Sequence, residues 1–297
     1  MRARRRPRRL LALLPLVLLS GCLFSTRRLP QPRGPVTVQT ISPAELVNRL
    51  NRQWAAIESL TAKVEIQASV LHSAQGVAKD YTSIPGIILM RKPEFLRVYG
   101  MVPLIRTEMF DMVSDGRNFT LYVPSRNKAM EGSNSLKTKS ANQLENLRPG
   151  FFLDALIVRG LEPDQYYTVI TDTDTEEDPS KKHLVQTPEY ILSILRVKPE
   201  SHEEALVRVV RFHRDDLLPY QQDIYDSDGN TETQVVYERY ADFNGTKFPT
   251  RVTIKRPMDE IQIVLMLESV TENQPLKDDQ FIIKMAPGTE VQKLGEK

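Results

Sequence analysis

The sequence predicts a mainly β chain of the α+β class, with about eleven strands around two or three helices. Three observations predict it. At Thr61 the apolar period changes from about 3.6 to about 2. Strand-like runs then recur at short intervals with turn signals between them. No repeat of fixed length is visible, which argues against a propeller or a solenoid.

Taken in order, the chain opens on Arg2, Arg4, Arg5, Arg6, Arg8 and Arg9, then an apolar run from Leu10 to Leu19. That run is too short to span a bilayer, and the order is that of a signal peptide over residues 1–21. Arg8-Arg9 leaves twin-arginine export open beside the general route. The run ends in Leu18-Leu19-Ser20-Gly21-Cys22, which resembles a bacterial lipobox. The resemblance implies cleavage before Cys22 and acylation of that residue; an ordinary secretory signal with an incidental cysteine is the alternative. Cys22 is the sole cysteine, so no disulfide forms within one chain. Each buried CH2 contributes about 0.8 kcal/mol, so two acyl chains give stable anchoring. Leu23, not an aspartate, follows Cys22. By resemblance to diderm lipoproteins this implies the outer membrane, on its periplasmic face.

The full chain carries a net charge of +2, but residues 1–21 hold six arginines and no acidic residue, so the remainder is at −4. Nucleic acid therefore loses its main support as a partner. Residues 22–41, with Arg27, Arg28, Pro30, Pro32, Arg33, Gly34 and Pro35, read as a flexible tether. Residues 42–297 read as the folded part, long enough for a sizeable core.

Ser42-Pro43-Ala44-Glu45 is a helix start with the elements of a capping box, and Leu46, Leu50, Trp54 and Ile57 form one apolar stripe. Val64, Ile66, Ala68 and Val70 then alternate with polar residues as a half-buried strand. Further strands are expected over 83–91, 94–99, 107–113 and 118–123, separated by Lys92-Pro93, Val102-Pro103 and the Asp115–Asn118 turn. Residues 141–147 look helical. The segment from Phe151 to Val158 is apolar on nearly every side, and reads either as a core helix or as a lid over a greasy cavity. Strands resume over 166–171, 190–197, 205–213, 220–225, 234–240, 247–255 and 262–269. The acidic run 172–178 lacks the glycine and terminal glutamate of an EF-hand and reads as a solvated loop.

Catalytic and metal-binding constellations are not found. His72, His183, His202 and His213 share no metal-ligand spacing, and neither a nucleophile elbow nor a P-loop is present. No catalytic residue, metal or cofactor is assigned. The apolar content stands out instead. Phe110 and Met112 back onto Met109 and Val113, so one face of that strand is free to line an interior.

On these residues the chain resembles the LolA/LolB family of lipoprotein carriers and outer-membrane lipoprotein receptors. The order of a leading helix, Ile57–Ala62, a β-meander, a helical insertion and returning strands matches over about residues 43–292, as do Phe243–Pro249 and Asp279–Val291. The resemblance implies an unclosed antiparallel β-barrel with helices as a lid. Leu96–Glu108 further resembles the LolB segment in which a Pro-Leu pair sits between two strands. That implies a membrane-insertion loop at Pro103 and Leu104, although Ile105 stands where the family tends to have glycine. Leu50, Trp54, Phe110, Met112, Phe151, Phe152 and Leu156 are the candidate cavity and lid residues. A chain of ~16 carbons buried there gains at most about 13 kcal/mol before binding costs. With no nucleotide site, transfer has to run downhill in affinity.

The expected function is an anchored, LolB-like, non-enzymatic receptor. It takes acyl chains of lipoproteins or other lipids from a periplasmic LolA-like carrier and acts as a monomer. A sensor or scaffold of the same fold, and an enzyme acting on envelope glycans or lipids, are the alternatives.

Overall fold

The computed structural model describes residues 31–32, 37–134, 149–178 and 183–294. Cys22 with its lipobox, and the helix expected over 141–147, lie outside them. Contacts divide the chain into two units, residues 1–36 with 173–187, and residues 37–172 with 188–297. In the first unit β1 (Gln31–Pro32) pairs in parallel with the start of β10 (His183–Val197), through Gln31↔Val185 and Pro32↔Gln186.

The second unit begins with a segment tied down ahead of the helix. The Gln39 N–H donates to Arg214 O, the Gln39 amide to Asp215 O, and the Ile41 N–H to Tyr190 Oη. Helix α1 (Pro43–Ala56) then starts as its sequence directs. Ser42 Oγ accepts from the Glu45 N–H at 3.2 Å, and Pro43 fills the first turn, where no N–H is needed. The Glu45 carboxylate does not complete a capping box; it accepts from Arg52 at 2.7 Å. Leu46, Val47 and Leu50 form the buried stripe. Ser42→Ala is expected to cost about 1 kcal/mol, read from the urea midpoint, and an unmoved midpoint would remove the cap from the account.

The sheet of this unit is built from two sequential meanders. The first holds β2 (Ser59–His72), β3 (Val77–Asp80), β4 (Ile84–Arg91), β5 (Phe95–Met101), β6 (Glu108–Ser114), β7 (Asn118–Val123) and β8 (Lys128–Ser133). After α2 (Pro149–Leu156) come β9 (Gln165–Asp178), β10, β11 (Glu204–His213), β12 (Pro219–Tyr225), β13 (Thr231–Phe243), β14 (Thr246–Arg256) and β15 (Ile261–Glu272). A last strand, β16 (Glu290–Lys293), pairs in parallel with β8. The strand order runs β10-β11-β12-β13-β14-β15-β2-β4-β5-β6-β7-β8-β16, with β3 on β2 and β9 on β10. The seam between the meanders is β15 against β2, from Ile261↔Val70 to Glu272↔Leu60.

Turn chemistry fixes the hairpins. Asp115 Oδ1 accepts from the N–H groups of Arg117 and Asn118 at 2.8 and 2.7 Å, and these bonds hold its carboxyl below the usual range. Asn244 and Gly245 both take positive φ, as a two-residue hairpin turn requires. Alternation then buries one face: Leu60, Ala62, Val64 and Ile66 of β2 lie in the core beside Ile88, Met90 and Val98 of the neighbouring strands.

Two sequence expectations are corrected. The described residues hold sixteen strands rather than about eleven. The additional ones include β3 and β16, which are exposed along their length and so show no apolar alternation. The acidic run is no loop, because β9 continues through it to Asp178.

A C-terminal strap crosses the outer face of the first meander. Arg91 donates to Leu276 O and Asp278, Arg97 donates to Gln280 O, Phe281 lies against Phe95, and Tyr122 Oη accepts from the Ala286 N–H. Beneath it Arg97 grips Asp111 with two bonds, at 3.0 and 2.7 Å. Asp111 is buried, and its hydrogen bond raises the Arg97 guanidinium above its ordinary value.

Candidate functional site

The core face of the sheet in the second unit holds α2. This helix touches β5 and β6 on one side and β14 on the other. Five strand spacings separate β14 from β6, roughly 24 Å in a flat sheet. A helix is only ~10–12 Å across with its side chains, so the sheet has to curl around it. The curl follows from the residues. Phe151, Phe152, Leu153, Ala155, Leu156, Ile157 and Val158 are all buried, and no open sheet face could cover so many sides of one segment. Phe151 stacks on Phe152 with ring centroids 4.4 Å apart, and the Arg256 guanidinium sits 5.5 Å from the Phe151 ring.

The structure gathers the seven candidate interior residues into one cluster. Leu50, Met112, Phe151, Phe152 and Leu156 are buried in it, and Trp54 and Phe110 are half-buried against it. Phe110 lies opposite Gly100, where an added Cβ would come within 2.5 Å of the ring. Trp54 is held from outside by Lys92, whose ammonium is 4.0 Å from the ring centroid and donates to Trp54 O. Burial lowers the Lys92 pKa, partly opposed by Glu58.

A polar patch interrupts this apolar interior. Arg208 on β11, Gln222 on β12 and Tyr237 on β13 are buried. Gln222 Nε2 donates to Asp154 O at the end of α2 at 2.6 Å, and to Tyr237 Oη at 2.9 Å. Arg208 Nη2 makes a long bond of 3.4 Å to Gly160 O. Asn51 of α1 accepts from the Leu161 N–H at 2.9 Å, so the segment after α2 is held from both sides. Desolvation pushes the Tyr237 hydroxyl far above its ordinary range, so it stays protonated. Sequence reasoning misses all three of these polar residues. The available signal is a polar side chain in an apolar slot: Arg208 falls in register with Leu206, Val210 and Phe212.

The β5–β6 loop carries the other candidate residues. Leu104 is 100% exposed and Ile105 69%, the most exposed large apolar pair among the described residues. The loop is bridged by three backbone bonds: Val102 N–H to Thr107 O, Ile105 N–H to Pro103 O, and Arg106 N–H to Val102 O. Leu104 takes φ +71° and Arg106 φ +54°. A side chain in the left-handed region costs roughly 1–2 kcal/mol, and Leu104 recovers none of it by packing. Pro103 and Leu104 thus stand at the tip of a fixed hairpin rather than under it.

Among the described residues no group of three or more His, Cys, Asp or Glu could hold a metal, and no helix is long and apolar enough to cross a membrane.

No protein-family model matches the chain, and no curated protein matches its sequence. Solved structures do resemble it. A LolA superfamily protein from Nitrosomonas europaea aligns over 82% of this chain and 99% of its own, at 13% identity and a TM-score of 0.48. An outer membrane lipoprotein-sorting protein domain from Vibrio parahaemolyticus aligns over 80% and 94%, at 12% and 0.47. A DUF1329 family protein from Desulfovibrio piger aligns over 80% and 95%, at 14% identity and a TM-score of 0.52. What the chain has in common with that protein is its fold: a large, unclosed, mainly antiparallel sheet with two helices.

Proposed function

We propose that the protein is an anchored acyl-chain receptor of the envelope. It accepts lipoproteins or other lipids in the interior now filled by α2, and passes them to the bilayer through the Leu104 hairpin. The observation that carries this reading is Leu104: a bulky apolar side chain, wholly in water, on backbone that resists it. Such an arrangement is disfavoured for folding and suits contact with hydrocarbon. The apolar α2 supports the other half of the reading, because the surface that buries it would equally bury an acyl chain. Cys22, by its lipobox, would keep the hairpin beside the outer membrane.

A full chain carrying Cys22→Ala is the protein to test. It is expected to be periplasmic, unlipidated and accompanied by co-purifying acyl lipid on mass spectrometry. Retention in the outer-membrane fraction would remove the anchor. A sensor or scaffold that moves no lipid is the second reading, and the burial of α2 favours it, since the helix already satisfies the interior. Absence of bound lipid in that preparation would select the second reading.

A further inference from the structure

Arg208 is 6% exposed, yet its guanidinium has no carboxylate within ion-pair distance among the described residues. The two carboxylates that act on it electrostatically are engaged elsewhere: Asp154 pairs with Arg159, and Glu162 with Arg196. Among the described residues its Nε has no hydrogen-bond partner, and its one bond is the 3.4 Å contact with Gly160 O. Burial accordingly lowers its pKa, with Asp154 the main opposing influence. Beside it, Tyr237 Oη accepts from Gln222, which leaves the hydroxyl proton available to a further acceptor. An unpaired buried cation next to unspent donors is costly unless something else uses it.

Two backbone carbonyls of the α2 segment, Asp154 O and Gly160 O, accept from Gln222 and Arg208. Phe151, Phe152 and Leu156 of the same segment fill the adjoining apolar space. The segment therefore presents oxygen atoms at one end and hydrocarbon along its length, which is the outline of an amphiphile.

We infer that Arg208, with Tyr237 and Gln222, is a head-group site for an acyl compound with an oxyanion head, such as a carboxylate or a phosphate, and that α2 occupies that ligand's place in the empty protein. This rests on the reading of the interior as an acyl-chain site and adds to it a choice of head group. A guanidinium reads a carboxylate or phosphate through two parallel bonds, which a neutral alcohol cannot accept as a charge-assisted pair.

The test uses the full chain with Cys22→Ala and three probes: palmitate, 1-hexadecanol and inorganic phosphate, each titrated calorimetrically. Palmitate is expected to bind about tenfold or more tighter than hexadecanol, and phosphate alone not to bind. Arg208→Met is expected to lose the preference, palmitate weakening at least about tenfold to the affinity of hexadecanol, and to melt no lower than the parent because an unpaired buried charge is gone. If Arg208→Met does not fold, Arg208→Lys keeps the charge without the fork and is expected to lose most of the preference. Equal binding of palmitate and hexadecanol by the parent overturns the head-group site and leaves the acyl site standing. A preference retained in the Arg208 variants, or binding of phosphate alone, also overturns it. Binding of neither chain overturns both readings.

Discussion

Asp111→Ala is expected to destabilise the protein by about 3–5 kcal/mol, and to lower its melting temperature by roughly 10 °C. The Asp111 side chain is 1% exposed and takes both bonds of the Arg97 fork. Its removal leaves Arg97, 17% exposed, with only the Gln280 carbonyl as an acceptor among the described residues. The cost is that of a buried charge stranded without its partner. The double variant Arg97→Met/Asp111→Leu is therefore expected to recover most of the stability. Calorimetric melting of the three proteins checks this. A single variant that melts with the parent, or a double variant no better than the single one, would show that the pair is not what secures the strap.

Leu104→Glu is expected to leave the melting temperature unchanged and to slow delivery of an acylated cargo to liposomes at least about tenfold. Leu104 is fully exposed, so its substitution removes no packing from the folded protein. In a bilayer the same side chain gains about 1.5–3 kcal/mol, which a charged carboxylate forfeits and reverses. Cargo binding is expected to persist, because the loop lies outside the core cluster. A liposome-transfer assay run beside a binding assay separates the two, and unaltered transfer would take the role from the hairpin. Leu104→Gly adds a control, since glycine relieves the left-handed φ while also removing the apolar side chain.

Much of this architecture is written in local patterns. The stripe Leu46, Leu50, Trp54 and the cap at Ser42 mark α1, and strict alternation places Leu60, Ala62, Val64 and Ile66 on the core face of β2. Pro103 and Leu104 are singled out by the resemblance of 96–108 to a family segment, not by period or composition, and the structure leaves Leu104 in solvent. The rest depends on partners distant in sequence. Strands β3 and β16 are exposed and owe their state to the backbones of β2 and β8, so their own residues carry no period. The acidic stretch is extended because β9 lies along β10, despite a composition that favours turns. The segment 151–158 reads equally as a core helix and as a lid, and burial alone does not separate these, since a closed lid is also buried. Arg208 escapes notice because a cation on a core-facing slot departs from the pattern used to find strands.

The β15–β2 seam has a consequence for how the molecule comes into being. Ser59 Oγ donates to Gln274 O, 215 positions away, so the first strand after α1 and the last long strand are locked side by side. Each meander can zip up by neighbour-to-neighbour steps, yet the join between them has to wait until nearly all of the polypeptide has been synthesised. Such distant closure is slow, and until it is made β2 and β15 each keep an edge without its native neighbour.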